Sequence, residues 1–137
     1  MNECLFCKII DGQIPSKKIY ENEYTLCFLD VFPNSDGHCL VIPKKHFENF
    51  ETTDSLYITE VAKTKQEVVK LLRANLPVEP VGFNYVSNQG SEAFQTVFHY
   101  HEHIIPKYIK EFGYGFVINH ANDMTDQDEI HKILTKK

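Results

Sequence analysis

The sequence contains no tryptophan, no long apolar run, no internal repeat and no low-complexity segment. A bilayer-spanning helix needs roughly 20 consecutive apolar residues, and no stretch approaches that, so a membrane role is not expected. The amino terminus, Met1-Asn2-Glu3-Cys4, carries no basic region followed by an apolar stretch, so no secretory signal is expected and a cytoplasmic location is the default expectation. Positive charge is also scarce. The net charge is -5 with histidine neutral, and the basic residues are scattered rather than gathered into a stripe. A nucleic-acid polymer bound by counterion release requires the opposite balance. A small anion remains compatible, because a few backbone N–H groups and histidines suffice to hold one phosphate.

What is present fits one globular domain. A chain of 137 residues is long enough to bury a core and too short for two. Four cysteines occur: Cys4, Cys7, Cys27 and Cys39. Cys27 and Cys39 sit in apolar runs, where buried thiols are common. Without a secretory signal, free or metal-bound thiols are expected rather than disulfides.

Along the chain, 4–10 reads as a short helix or turn stopped by Asp11-Gly12. Strands are expected over 18–21 and 24–30, with Asn22-Glu23 as the turn between them, and over 38–42, ended by Pro43. Tyr57, Val61, Thr64, Val68 and Leu72 recur at helical spacing, which predicts a helix over about 53–75 that Pro77 stops. Further strands are expected over 82–87 and 96–105, and a last helix over 126–134. An antiparallel sheet crossed by one long helix is the simplest assembly, an α+β fold.

The sharpest chemical feature is His99-Tyr100-His101-Glu102-His103. In an extended chain alternate side chains share a face, so three imidazoles project together while Tyr100 and Glu102 point the other way. Such a row suits a three-histidine metal site or nucleophilic chemistry on an anion, and spacing alone does not decide between them. A polar turn, Asn88 to Thr96, leads into the row and offers N–H, amide and hydroxyl groups to a phosphate. Two more histidines, His38 and His46, flank the 38–42 strand.

Together these features resemble the histidine triad (HIT) family, whose signature is His-φ-His-φ-His-φ-φ with φ apolar. The resemblance runs from about Cys4 to Pro106. It rests on the signature at His99, on Cys4-Leu5-Phe6-Cys7-Lys8-Ile9-Ile10, on Ile14-Pro15 and Asp30, and on His38 through His46. It implies a HIT-like antiparallel sheet with one long helix and a short N-terminal helix, a HIT domain over 1–110, and a tail over 111–137 that packs on the domain or on a dimer partner. It also implies a nucleotidyl hydrolase or transferase. His101 would attack the α-phosphorus of a purine nucleoside 5′-phosphoramidate or a related compound, forming a nucleotidyl-histidine that water then cleaves. His103 would touch the phosphate and share in proton transfer, and His38 would complete the polar network. Gln95 and Thr96 fall at phosphate and leaving-group contacts, Asn88 at a phosphate or sugar contact, and Asp30 at the ribose hydroxyls. Phe6, Ile9, Phe28, Leu29 and Val31 correspond to the base pocket.

The same resemblance makes Cys4, Cys7, His46 and His99 a closed structural zinc site, which removes His99 from direct catalysis, and it implies a homodimer. The sequence departs from the pattern at Glu102, which stands at an apolar position, and at Phe94, where the family has glycine. With no tryptophan available, any C-terminal contribution to the site falls to groups such as Tyr108, Phe112 or Tyr114. The alternatives are a non-catalytic nucleotide-binding or scaffold protein, and a dinucleoside polyphosphate hydrolase.

Overall fold

The chain's apolar alternation folds into a five-stranded antiparallel sheet, here seen in a computed structural model that describes residues 3–136. Met1, Asn2 and Lys137, which the expected domain and tail limits include, lie outside the described residues. Helix α1 (Leu5–Ile10) precedes β1 (Lys18–Glu21), β2 (Thr25–Leu29) and β3 (Cys39–Pro43); α2 (Ser55–Asn75), β4 (Gly82–Val86), β5 (Glu102–Lys107) and α3 (Gln127–Leu134) follow. The strand order is β1-β2-β3-β5-β4. This is the α+β layout expected from the sequence. Among the described residues, no helix is long and apolar enough to cross a membrane.

The two faces of the sheet are sorted by the period-2 rule. Leu26 and Phe28 of β2 lie opposite Ile42 and Leu40 of β3, and these four pack with Phe6 of α1 into one buried cluster. Cys27, Val41, Tyr100 and Ile104 face the other way and pack with Val61, Val68 and Leu72 of α2. Each fully buried aliphatic side chain of this kind contributes about 2 kcal/mol. Helix α2 thus covers one face, and the short helix α1 sits on the other, the face toward which the histidines project. Thr64 is the polar member of the α2 stripe, and its hydroxyl lies 2.7 Å from that of Thr25. Asn22 Oδ1 in turn accepts from the Thr25 hydroxyl at 3.0 Å, so burial leaves neither threonine without a partner.

The histidine row corrects one expected boundary. A strand was expected over 96–105, but β5 begins only at Glu102 and runs to Lys107. β3 pairs with β5 from Cys39↔Ile104 to Val41↔Glu102 and no further. Pro43 has no N–H to extend the ladder. The chain beyond it turns away, and Tyr100 N–H donates instead to Phe47 O at 2.7 Å. His99 and His101 therefore lie just outside the sheet. The alternation survives, with Tyr100 in the α2-side core and the three imidazoles on the α1 side.

The C-terminal part, expected to pack on the domain or on a partner, is mostly exposed. Phe116, Val117, Ile118 and Leu134 all lie open to solvent, and α3 has no buried residue. Lys107 Nζ anchors the start of this segment by donating to the carbonyls of Phe112 and Tyr114.

Candidate active site

His101 is buried, and the direction of its one hydrogen bond sets its chemistry. Its Nδ1 lies 2.7 Å from the His99 carbonyl oxygen. A carbonyl can only accept, so Nδ1 carries the proton and Nε2 keeps its lone pair. Burial lowers the pKa of His101, with the His99 carbonyl, Asp30 and Glu102 opposing. The ring is accordingly neutral at physiological pH, as a nucleophile requires. Phe6 packs edge-on against it, with ring centroids 5.1 Å apart.

Beside it stands a second cluster of Asp30, His38 and His103. Gly37, at φ +90°, has Leu76 and Pro106 so close that a Cβ there would meet Leu76 Cδ1 at 2.9 Å. The left-handed φ favours glycine here, and the turn delivers His38 to the start of β3. Asn34 N–H donates to His38 Nδ1 at 3.0 Å, so the proton of neutral His38 sits on Nε2. That Nε2 lies 3.0 Å from His103 Nδ1 and 3.4 Å from Asp30 Oδ2. The chain of donors therefore runs from Asn34 through His38 to His103 and leaves the His103 proton on Nε2, available to a ligand. Burial brings His103 down to about 4, helped by His101 and His38 and opposed by Asp30 and Glu102. Burial likewise lowers His38, against Asp30. The three side chains have metal-ligand types within reach of one another. Ligation through His38 Nε2 would require a proton on Nδ1, where Asn34 already donates, so the arrangement is a hydrogen-bond relay rather than a metal site.

The opposite assignment holds at Cys4, Cys7, His46 and His99. Their ligand atoms all lie within 4.8 Å of one another. Cys4 N-caps α1, its Sγ accepting from Cys7 N–H at 3.3 Å. Cys4 Sγ and Cys7 Sγ lie 3.4 and 3.6 Å from His99 Nδ1. Cys7 Sγ is 3.4 Å from His46 Nδ1, and the two Nδ1 atoms are 3.2 Å apart. A tetrahedral ion with bonds of about 2.0–2.3 Å has edges of about 3.3–3.8 Å, so the set fits one. His99 Nε2–H donates to Pro43 O at 2.9 Å, which aims the Nδ1 lone pair at the other three ligands. Burial takes His99 down to about 4, so the ring is neutral, as ligation requires.

The other residues singled out from the sequence fall as follows. Phe6, Ile9 and Phe28 come together on the α1 side. Leu29 packs against the α2-side core, so its side chain does not share their wall. Val31, just past Asp30, is exposed. Gln95 is buried, and its amide is committed to the backbone: Oε1 accepts from Gly90 N–H at 2.8 Å, and Nε2 donates to Glu48 O and Val97 O at 2.8 and 3.1 Å. It braces the loop that carries Thr96. Thr96 is exposed and lines a hollow of about 470 Å³ with Glu3, Leu5, His46 and Phe98. Asn88 is half-buried just beyond β4. Phe94 holds a left-handed backbone, φ 72°, with its ring turned out to solvent. Glu102 finds its basic partner in Lys65, at 2.5 Å. The backbone groups of Asn34, Pro43 and His99 that fix the three tautomers were not singled out, since every residue has such groups and no sequence pattern marks which ones face an imidazole.

The HIT domain family matches residues 11–110 of the chain. An adenosine 5′-monophosphoramidase of Candida albicans is 38% identical over 136 residues, 97% of this chain and 88% of that protein. Among solved structures, a member of the HIT family from Bacillus subtilis superposes with a TM-score of 0.85 at 40% identity, over 98% of this chain and 94% of that one. A Zn-bound histidine triad family protein from Mycobacterium smegmatis superposes with a TM-score of 0.74 at 37% identity, over 80% of this chain and 78% of that one.

Proposed function

The chain belongs to the HIT family, and on that premise we propose that it hydrolyses a purine nucleoside 5′-phosphoramidate through a covalent nucleotidyl-histidine at His101. The observation that carries this reading is the His101 Nδ1–H bond to the His99 carbonyl, which leaves Nε2 as an unprotonated nucleophile. The 38% identity to the Candida albicans adenosine 5′-monophosphoramidase supports the substrate class.

In the first step the Nε2 lone pair forms an N–P bond to the α-phosphorus. The P–N bond to the amine breaks, and the amine departs with a proton passed through His103, which the attacking water restores in the second step. His103 Nε2–H donates to a phosphoryl oxygen, and His38, braced by Asn34, holds that ring in register. An anionic phosphate beside His103 opposes the burial that keeps the ring neutral, so binding draws a proton into the site. In the second step water adds to phosphorus, the His101–P bond breaks, and a nucleoside monophosphate leaves with His101 neutral again. Asp30 accepts from the ribose hydroxyls, Thr96 meets the phosphate or the leaving group, and Asn88 lies on the phosphate or sugar side. Phe6, Ile9 and Phe28 form the apolar wall for the base, with Leu29 and Val31 at its margin. Gln95 serves by shaping the 90–96 loop.

Zinc is the ion we assign to Cys4, Cys7, His46 and His99. Two thiolates and two imidazoles at tetrahedral spacing suit it, and the similarity to a Zn-bound family member supports it. Bound there, it would fasten α1 to the sheet and take no part in bond making. The reading includes a homodimer in the cytoplasm. The exposed apolar tail and the open edge strand β4 support a second copy, and sedimentation is expected to give twice the chain mass; a monomer at micromolar concentration would remove that element.

The central test is incubation of wild type and His101→Ala with adenosine 5′-phosphoramidate, quenched early and analysed by mass spectrometry. Wild type alone is expected to release AMP and to carry an adenylyl group on His101. Equal, negligible turnover in both proteins would refute the reading.

A further inference from the structure

The metal-ligand cluster and the nucleophile share a residue. The His99 side chain is fully buried and belongs to the cluster through Nδ1, while its backbone carbonyl accepts the His101 Nδ1–H bond. They also share a neighbour. Phe6, next to Cys7 on α1, packs edge-on against both His99 and His101, at 5.9 and 5.1 Å between ring centroids. Neither histidine is held by the strand ladder, which ends at Glu102. Tyr100 between them is held by its N–H bond to Phe47 O, its buried ring and its hydroxyl bond to Glu102, whereas His99 and His101 are restrained through the His99 ring and through Phe6. Phe6 and the Nδ1 side of the His99 ring depend on where α1 and His46 stand.

We infer that Cys4, Cys7 and His46, gathered with His99 on one ion, are positioning residues for the nucleophile. They hold the His99 carbonyl where it fixes the His101 tautomer, and they hold Phe6 where it fixes the ring. The inference rests on His101 being the nucleophile. Two geometric facts make the coupling stiff. His99 is anchored at both ring nitrogens, by the ligand set at Nδ1 and by Pro43 O at Nε2, so the ring cannot turn about its axis without losing one anchor. The path from its ring to its carbonyl then crosses only Cβ and Cα. Loss of the ligand set leaves one anchor and frees the ring to swing, and the carbonyl moves with it. A displacement of about 1 Å at a reacting group costs on the order of 100-fold in rate, and loss of supporting contacts around a site costs about 10- to 100-fold.

His46 is exposed, so replacing it disturbs little packing, and it is the ligand to vary. The full chain is loaded with Zn²⁺, and metal content is measured on wild type, His46→Ala and His46→Asp before and after chelation. The phosphoramidate assay gives kcat and KM, and ¹⁵N-edited NMR of histidine-labelled protein reports the His101 Nδ1–H resonance and its solvent exchange, with circular dichroism to confirm a folded sheet. After chelation His46→Ala is expected to lose about 10- to 100-fold in kcat with KM within about twofold, and its Nδ1–H signal broadens. His46→Asp, which keeps a ligand atom, recovers both when Zn²⁺ is present. An unchanged Nδ1–H signal in metal-free, folded protein overturns the inference, as does a fall in activity confined to KM. The NMR arm does not need turnover. A wild type inactive on phosphoramidate, but with an Nδ1–H signal that follows the metal, would sink the proposed substrate and leave the coupling standing.

Discussion

Replacing Glu102 by leucine puts an apolar side chain at the family's apolar position, yet it is expected to destabilise the protein by about 1–3 kcal/mol. The carboxylate is largely buried between two donors. Tyr100 hydroxyl donates to Oε2 at 2.5 Å, and Lys65 Nζ lies 2.5 Å from Oε1, with side-chain exposures of 23% for Lys65 and 13% for Glu102. Tyr100 is buried, only 3% exposed, so its hydroxyl would lose its acceptor with no water to replace it. A stranded buried hydroxyl costs about 1–3 kcal/mol. Lys65 loses a half-screened partner, worth about 1 kcal/mol at this exposure. The leucine returns about 1 kcal/mol through added apolar burial. Thermal unfolding should fall by roughly 8 °C, since 1 kcal/mol moves a domain of this size by about 3–4 °C. The partner mutation supplies the check. In the Glu102→Leu/Tyr100→Phe double variant no hydroxyl is left stranded, so it should recover about 1–2 kcal/mol relative to Glu102→Leu alone. Urea unfolding of the four proteins measures the coupling. A Glu102→Leu protein as stable as wild type, or a coupling below about 0.5 kcal/mol, would show that the carboxylate is not what those two donors depend on.

Two further expectations concern the site. His103 titrates near 4 in the free protein against 6.5 unfolded, so the unfolded chain binds more protons between those values. Stability should therefore fall as pH drops from 6.5 towards 4, by about 3 kcal/mol from this group. AMP binding near pH 6 should take up a proton, seen as a dependence of calorimetric enthalpy on buffer ionisation that vanishes in His103→Gln; no buffer dependence in wild type would contradict the relay. Phe94→Gly should stabilise the protein by about 1 kcal/mol, because an exposed phenyl group offers little packing in return for a left-handed backbone at φ 72°. Loss of stability in that variant would mean that the ring holds the loop.

The fold was legible wherever a periodic pattern met a local stop. Val61, Thr64, Val68 and Leu72 mark the buried stripe of α2, and Pro77 marks its end. β1 matches its expected limits, 18–21. The boundary at His99 was not legible, because it is set by a partner. β3 runs out of donors at Pro43 while the histidine segment continues with the same alternation, and nothing in 96–101 records that its neighbour has left. The grouping of Cys4 and Cys7 with His46 and His99, ninety-odd residues apart at the extremes, was reached through family resemblance and not through spacing. The C-x-x-C motif fixes two ligands on one turn of helix, and only the fold brings the other two to it. The base pocket was the least legible part: Phe28 and Leu29 are adjacent and apolar, and the pleat sends them to opposite faces.

A sequence can place histidines on one face without saying which nitrogen of each is free, and that choice decides what each can do. Here three backbone groups decide it. The Pro43 carbonyl accepts from His99 Nε2–H, which places the proton there and turns Nδ1 to the thiols. The His99 carbonyl accepts from His101 Nδ1–H and so leaves Nε2 unprotonated. The Asn34 N–H does the reverse, occupying His38 Nδ1 and sending its proton towards His103. Because each assignment follows from an acceptor-only or donor-only backbone group, none depends on pH in the range where the imidazoles stay neutral. Four neighbouring histidines of equal intrinsic basicity thereby acquire separate roles: ligand, nucleophile, relay and donor. The burial that lowers His38, His99, His101 and His103 together is what keeps them neutral, so backbone contacts rather than charge set the division of labour.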